Sequence, residues 1–260
     1  MYIPPSIVNS TRPALRVLLQ GSPGTGKTYS ALTFPAPLIV DFDHKCPVGV
    51  PSLPFWDKDW CIAEAKRLGL PVIQNVVHKK ELFQKWLEVE GPKFRPGQTV
   101  IFDSWTSLQD EVLRYFNETK TWIKEKGEWD TRKMWADFLN YTVYIVVLIK
   151  QIPADTIVIC HEQIERNEKG DPTGTYRALS PGSFGDRMAG SFTDYWRTVI
   201  KETKDAAGKP VSNYLWQITP TPQCGAIFSG DKSKLKYFQD DGRHIVANYA
   251  SLNNAATPTV

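Results

Sequence analysis

The strongest constraint on this chain is a short apolar run, Leu15–Gln20, that breaks into Gly21-Ser22-Pro23-Gly24-Thr25-Gly26-Lys27-Thr28. Every fixed position of G-x-x-x-x-G-K-[S/T] is satisfied. The run suits a buried strand. Lys27–Thr33 suits a short helix closed by Phe34-Pro35, because the residue before a proline resists the helical region. Glycines let backbone N–H groups close around a phosphate without side-chain collision. The helix start adds unpaired N–H donors and the positive end of its dipole. Lys27 brings a cation to the β- and γ-phosphates, and Thr28 brings a hydroxyl to Mg²⁺. Gly21–Thr28 is therefore expected to bind a nucleoside triphosphate, ATP with Mg²⁺.

The rest of the chain alternates short apolar runs with helical periods. Pro37–Val40, Pro71–Val77, Thr99–Phe102 and Thr156–Cys160 are expected strands. Asp59–Leu68 and Lys79–Glu90 are expected helices. A further helix carries Trp105, Leu108, Val112 and Tyr115 on one face, with Ser107-x-x-Asp110 as its cap. Met134, Phe138, Tyr141, Ile145, Leu148 and Ile152 recur at helical spacing, and Pro153 stops that helix. Residues 44–56 and 164–191 read as loops. Phe192–Lys201, Ser212–Thr219 and Gly225–Phe228 read as later strands. This order predicts an α/β fold: a mostly parallel central sheet, helices on both faces, and antiparallel strands toward the C-terminus. Residues 1–13 read as an arm, 14–252 as the domain and 253–260 as a tail.

The chain has 260 residues, 42% hydrophobic and 23% charged, which excludes wholesale disorder. A net charge of +3 neither demands nor forbids nucleic acid, so a local patch must supply any attraction. There is no apolar stretch of about 18 residues and no evident signal peptide, so no membrane association and a cytoplasmic location are expected. Cys46, Cys61, Cys160 and Cys224 form no C-x-x-C pair and read as free thiols. A zinc site on Cys46 and His44 is disfavoured by its loose spacing.

Several further residues are candidates for chemistry. Val100–Asp103 is an apolar strand ending in a carboxylate, so Asp103 is the expected partner of Thr28 in holding Mg²⁺. Asp41 and Asp43 close the preceding strand, and Glu162 lies at the edge of another, where ligands of open α/β sheets gather. His161 and Gln163 are candidate sensors of the γ-phosphate. Two segments mix cations with aromatics: Lys120, Trp122, Lys124, Lys126 and Trp129 in one, and Arg166, Lys169, Arg177, Phe184 and Arg187 in the other. Such mixtures suit single-stranded nucleic acid, with phosphates on cations and bases on rings. Solvated loops with Trp side chains folded inward fit the same residues.

The combined pattern resembles the RecA superfamily, and within it the compact phage-encoded RecA-like ATPases of the Sak type, the "Sak-four" group, which act in single-strand annealing and recombination. Gly21–Thr28, Asp41-Phe42-Asp43, Ile101–Ser104 and Val158–His161 carry the likeness, with looser matches at 185–196, 215–220 and 245–252. The resemblance implies a RecA-like core and ATP-dependent binding of single-stranded DNA. It also implies a single-strand-binding protein as partner, a homo-oligomer, and host-cell cytoplasm if phage-encoded. It implies that 117–130 and 164–190 stand where RecA proteins keep their DNA-binding loops. Asp43 stands where a Glu orients or deprotonates the attacking water, with Asp41 and Glu162 as alternatives, and the shorter side chain implies slow hydrolysis. The basic pair usual near the C-terminal strands is not clear, with Lys232 and Lys234 as candidates.

Two functions follow. One is an ATP-dependent single-strand DNA-binding protein that promotes annealing or strand exchange. The other is a nucleotide-switched protein-binding or assembly ATPase without DNA activity. A metabolite kinase is weaker, because no acceptor-site lid is evident apart from the 164–190 segment.

Overall fold

A computed structural model describes residues 14–74, 77–119, 130–180, 188–221, 224, 228–229, 244–247, 250 and 252. The expected arm, the tail, the 120–129 segment, Phe184, Arg187, Lys232 and Lys234 lie outside the described residues.

The strands are β1 (Arg16–Gly21), β2 (Pro37–Asp41), β3 (Ser52–Pro54), β4 (Thr99–Asp103), β5 (Asp155–Arg166), β6 (Pro172–Ala178), β7 (Asp194–Lys204), β8 (Pro210–Gln217), β9 (Phe228–Ser229) and β10 (His244–Val246). The helices are α1 (Lys27–Ala31), α2 (Lys58–Arg67), α3 (Lys79–Glu90), α4 (Trp105–Thr119) and α5 (Thr131–Gln151). The sheet runs β10-β8-β7-β1-β5-β4-β2-β3. From β7 through β3 every neighbouring pair is parallel, whereas β8 and β10 add antiparallel. The expected α/β class, with antiparallel strands toward the C-terminus, is what is observed.

The central strands read as unbroken apolar runs because both of their faces are covered. Leu18, Val40, Val100, Phe102 and Val158 join one core cluster with the inner faces of α2, α3, α4 and α5. Val17, Leu19, Ile39, Ile101, Ile157 and Ile159 point the other way, toward Ala31, Phe34, Trp196 and Trp216. The two faces are unequal: among the described residues, α1 lies on the second face and the four longer helices on the first.

Register aligns the chemistry at one edge. Gly21 pairs with His161 and Asp41 with Asp103, so the C-terminal ends of β1, β2 and β4 meet there beside the middle of β5. The other end is tied down by polar contacts. The Leu15 N–H donates to Asp155 Oδ1 at 2.7 Å. The Arg16 guanidinium donates to the carbonyls of Lys150, Ile152 and Ala154, satisfying acceptors at the end of α5.

Four expectations need correction. The 44–56 loop contains β3, which pairs with β2. Residues 71–77 form no strand among those described, and Ile73 is exposed. Ser107 does not cap α4; Ser104 does, its Oγ accepting from the Ser107 N–H at 3.2 Å. The segment read as a loop from residue 164 is instead a hairpin. β5 continues to Arg166 and pairs antiparallel with β6 around a turn closed by the Asn167 N–H and the Asp171 carbonyl at 2.9 Å.

Candidate nucleotide-binding site

The loop after β1 owes its shape to glycine at three positions, for two reasons. Gly24 and Gly26 sit at φ +79° and +80°, where a side chain is strained. Gly21 is needed for space: a Cβ there would lie 2.0 Å from Thr198 Oγ1 on β7. Thr198 is part of the loop's scaffold, since its hydroxyl is 2.6 Å from Thr25 Oγ1, which also donates to the Ser22 carbonyl at 2.8 Å. Pro23 and Gly24 line the cavity.

Lys27 is buried, and its Nζ donates to the carbonyls of Gly21 (2.8 Å) and Ser22 (2.9 Å). Its ammonium is thus held over the loop by oxygen acceptors of the kind a phosphate offers. Burial lowers its pKa, opposed by Asp103 and Glu162. Thr28 Oγ1 donates to Asp103 Oδ2 at 2.6 Å, across 75 residues of sequence. The Asp103 carboxyl is pushed up to about 6 by burial; the Thr28 hydrogen bond opposes this, and Asp43 and Asp41 add to it. A buried carboxylate crowded by two others fits a site that takes a cation. Thr28 and Asp103 supply hard oxygen donors. Among the described residues no three His, Cys, Asp or Glu cluster as a closed metal cage, and magnesium commonly needs only one or two protein oxygens plus phosphate. The residues present fit Mg²⁺–ATP.

The two candidate carboxylates after β2 differ in environment. Asp41 is buried and accepts from the N–H groups of Asp43 (3.0 Å), Lys45 (3.4 Å) and Cys46 (3.3 Å), so it shapes the turn. Asp43 faces the cavity, accepting from Ser104 Oγ at 3.3 Å and pairing with Lys45 Nζ at 3.3 Å. Glu162 is engaged elsewhere. It accepts from Ser22 Oγ at 2.6 Å and from Arg197 Nε at 2.7 Å, and the Arg197 guanidinium lies 4.0 Å over the Tyr176 ring.

His161 lines the cavity, and its Nδ1 is buried with no hydrogen-bond partner among the described residues. Burial, reinforced by Lys27, lowers its pKa, which favours the neutral ring. Gln163 does not line this cavity. In its hydrogen-bonded orientation its amide oxygen accepts from Arg177 Nε at 2.9 Å, beside a separate polar pocket. The described cations of the second basic segment stand on the β5–β6 hairpin. Arg166 donates to the Gly170 carbonyl at 2.7 Å, Lys169 sits in the turn, and Arg177 lies 3.9 Å from Glu165.

The cavity measures about 750 Å³ and brings together Lys27, Thr28, Asp43, Asp103 and His161. Sequence reasoning missed Lys45, Tyr214 and Ala247, which also line it. Lys45 was within reach, two residues beyond a singled-out carboxylate. Tyr214 arrives on β8 and Ala247 just after β10, late in the chain, and no local signal marks them.

Residues 14–215 match a family described as an AAA domain. No curated protein matches the chain. Among solved structures, the RadB recombinase is similar at 12% identity, over 82% of this chain and 84% of that chain, with a TM-score of 0.36. A KaiC-like protein from the hyperthermophilic archaeon Pyrococcus horikoshii OT3 is similar at 12% identity, over 80% of each chain, with a TM-score of 0.37.

Proposed function

The chain belongs to the AAA domain family, and we propose from that membership and the site geometry that it is a Mg²⁺-dependent ATPase whose nucleotide state governs its grip on single-stranded DNA. Bound Mg²⁺ would neutralise charge developing on the phosphates during hydrolysis. Lys27 exchanges the Gly21 and Ser22 carbonyls for phosphate oxygens. Thr28 and Asp103 would hold the metal. Asp43 orients the attacking water and accepts its proton, while the neutral His161 ring hydrogen-bonds the terminal phosphate. Glu162, occupied by Ser22 and Arg197, braces the loop.

One observation carries the DNA part of this reading. β5 is continuous from the parallel sheet, through His161 at the cavity wall, to Arg166, with Lys169 in the turn beyond. A strand shared by the phosphate pocket and a cationic hairpin offers a direct route for nucleotide to bias strand binding. The test measures ATP hydrolysis with and without single-stranded DNA at low salt. Stimulation by DNA, with affinity falling steeply as salt rises, is the expected result. An unchanged rate with no retention of DNA would remove the proposal.

A second reading draws on Ile164, an exposed apolar residue among those cations. It makes the hairpin a protein-binding surface. Nucleotide-dependent capture of a protein, with no response to DNA, would favour it.

A further inference from the structure

Lys45 stands on the turn that Asp41 pins through the N–H groups of Asp43, Lys45 and Cys46. Its backbone is held while its long side chain is open to solvent: that side chain is 65% exposed, whereas that of Asp43 is 4% exposed. Nζ rests 3.3 Å from Asp43 Oδ2, and the other Asp43 oxygen accepts from Ser104 Oγ at 3.3 Å. Lys45 also lines the cavity that holds Lys27, Thr28, Asp103 and His161. Its charge reaches both of the other cavity bases. After burial, the main cause, Lys45 further lowers the pKa of Lys27, and it does the same to His161.

This arrangement has a chemical consequence. While Lys45 rests there both Asp43 oxygens are engaged, one by the ammonium and one by the Ser104 hydroxyl, so neither is open to a water molecule. The pairing is weak, since ion pairs with a solvent-exposed partner contribute little. A multiply charged phosphate in the same cavity is a better partner for that ammonium.

We propose that Lys45 is a phosphate-binding cation that leaves Asp43 for the terminal phosphate of a bound nucleoside triphosphate, freeing Asp43 to act on water. The proposal rests on the ATPase reading above. Occupancy of the terminal position then uncovers Asp43 Oδ2: Ser104 keeps Asp43 in place while Lys45 departs. Hydrolysis follows by ordinary displacement. The water oxygen bonds to the terminal phosphorus, the bond to the bridging oxygen breaks with its electron pair going to ADP, and the water proton passes to Asp43. A diphosphate, lacking the terminal group, leaves Lys45 on Asp43.

The test compares the affinity of the full-length chain, with Mg²⁺, for a non-hydrolysable ATP analogue and for ADP. Lys45→Ala is expected to weaken the ATP analogue by roughly tenfold or more, the loss of one charge-assisted hydrogen bond, and to change ADP by less than about twofold. Lys45→Arg should restore most of the difference. Equal weakening of both nucleotides would make Lys45 a structural residue of the turn and overturn the proposal, as would no weakening of either. Lys27→Ala serves as the control. If it abolishes triphosphate binding while Lys45→Ala has no effect, this inference falls and the ATPase reading stands. If the unaltered protein binds neither nucleotide, the ATPase reading falls and takes this inference with it.

Discussion

At the scale of single residues, two positions show how tightly the site is specified. Gly21 is packed against Thr198, with the Thr198 hydroxyl 2.0 Å and its carbonyl 3.1 Å from where a Cβ would be. Gly21→Ala should therefore cost about 1–3 kcal/mol, as overpacking does, chiefly against the Thr198 and Thr25 hydroxyls. Thr198→Ala should recover part of that loss, read by urea unfolding of the single and double variants. Asp103 is the second position. Its folded pKa is about 6 against a reference of 3.8. Between those values the native state holds the extra proton, so the stability of the nucleotide-free protein should fall as pH rises from about 4 to about 6. At neutral pH the buried charge costs roughly 3 kcal/mol. Asp103→Asn should raise the melting temperature of the nucleotide-free protein at pH 7 by a few degrees and abolish extra stabilisation by Mg²⁺ with an ATP analogue; a lower melting temperature would contradict this. The phosphate loop was legible in sequence because its glycines, Lys27 and Thr28 are contiguous. Thr198, which makes Gly21 obligatory, was not, because a contact across so many residues leaves no local pattern.

At the scale of elements, the strongest test concerns the Glu162–Arg197 pair that links β5 to β7. Both side chains are largely buried, so Glu162→Ala strands a guanidinium and should cost about 3–5 kcal/mol. Replacing Arg197 by Leu in the same chain should recover much of it, a coupling that a double-mutant cycle measures. Lys79–Glu90 was readable to the residue as α3, since its apolar positions recur at helical spacing and Gly91 follows. The β5–β6 hairpin was not readable. Its arms are polar beyond Cys160 and partly exposed, so they lack the alternation that marks a half-buried strand. The Asn167–Asp171 turn then looks like one more polar interval. Pro71–Gln74 differs in the opposite way: its apolar residues suggested a strand, yet these residues hold only an isolated bridge at Ile73, which faces solvent.

At the scale of the whole molecule, nucleotide binding should stabilise the fold by mass action, gaining about 2.7 kcal/mol at a ligand concentration a hundred times the dissociation constant. Lys27→Ala should lose that gain in a thermal shift with an ATP analogue, and a retained shift would contradict the role given to Lys27. The fold class was legible because burial on both faces writes parallel strands as solid apolar runs. The inequality of the two faces was not legible, because a buried residue in such a run does not say which layer it meets. β5 has a final consequence. At about 3.3 Å per residue its twelve residues reach roughly 40 Å, and one strand belongs to both the central sheet and the outlying hairpin. A fluorophore placed near Lys169 would act as a needle on a dial, reporting from open solvent what happens beside His161 without itself touching the nucleotide.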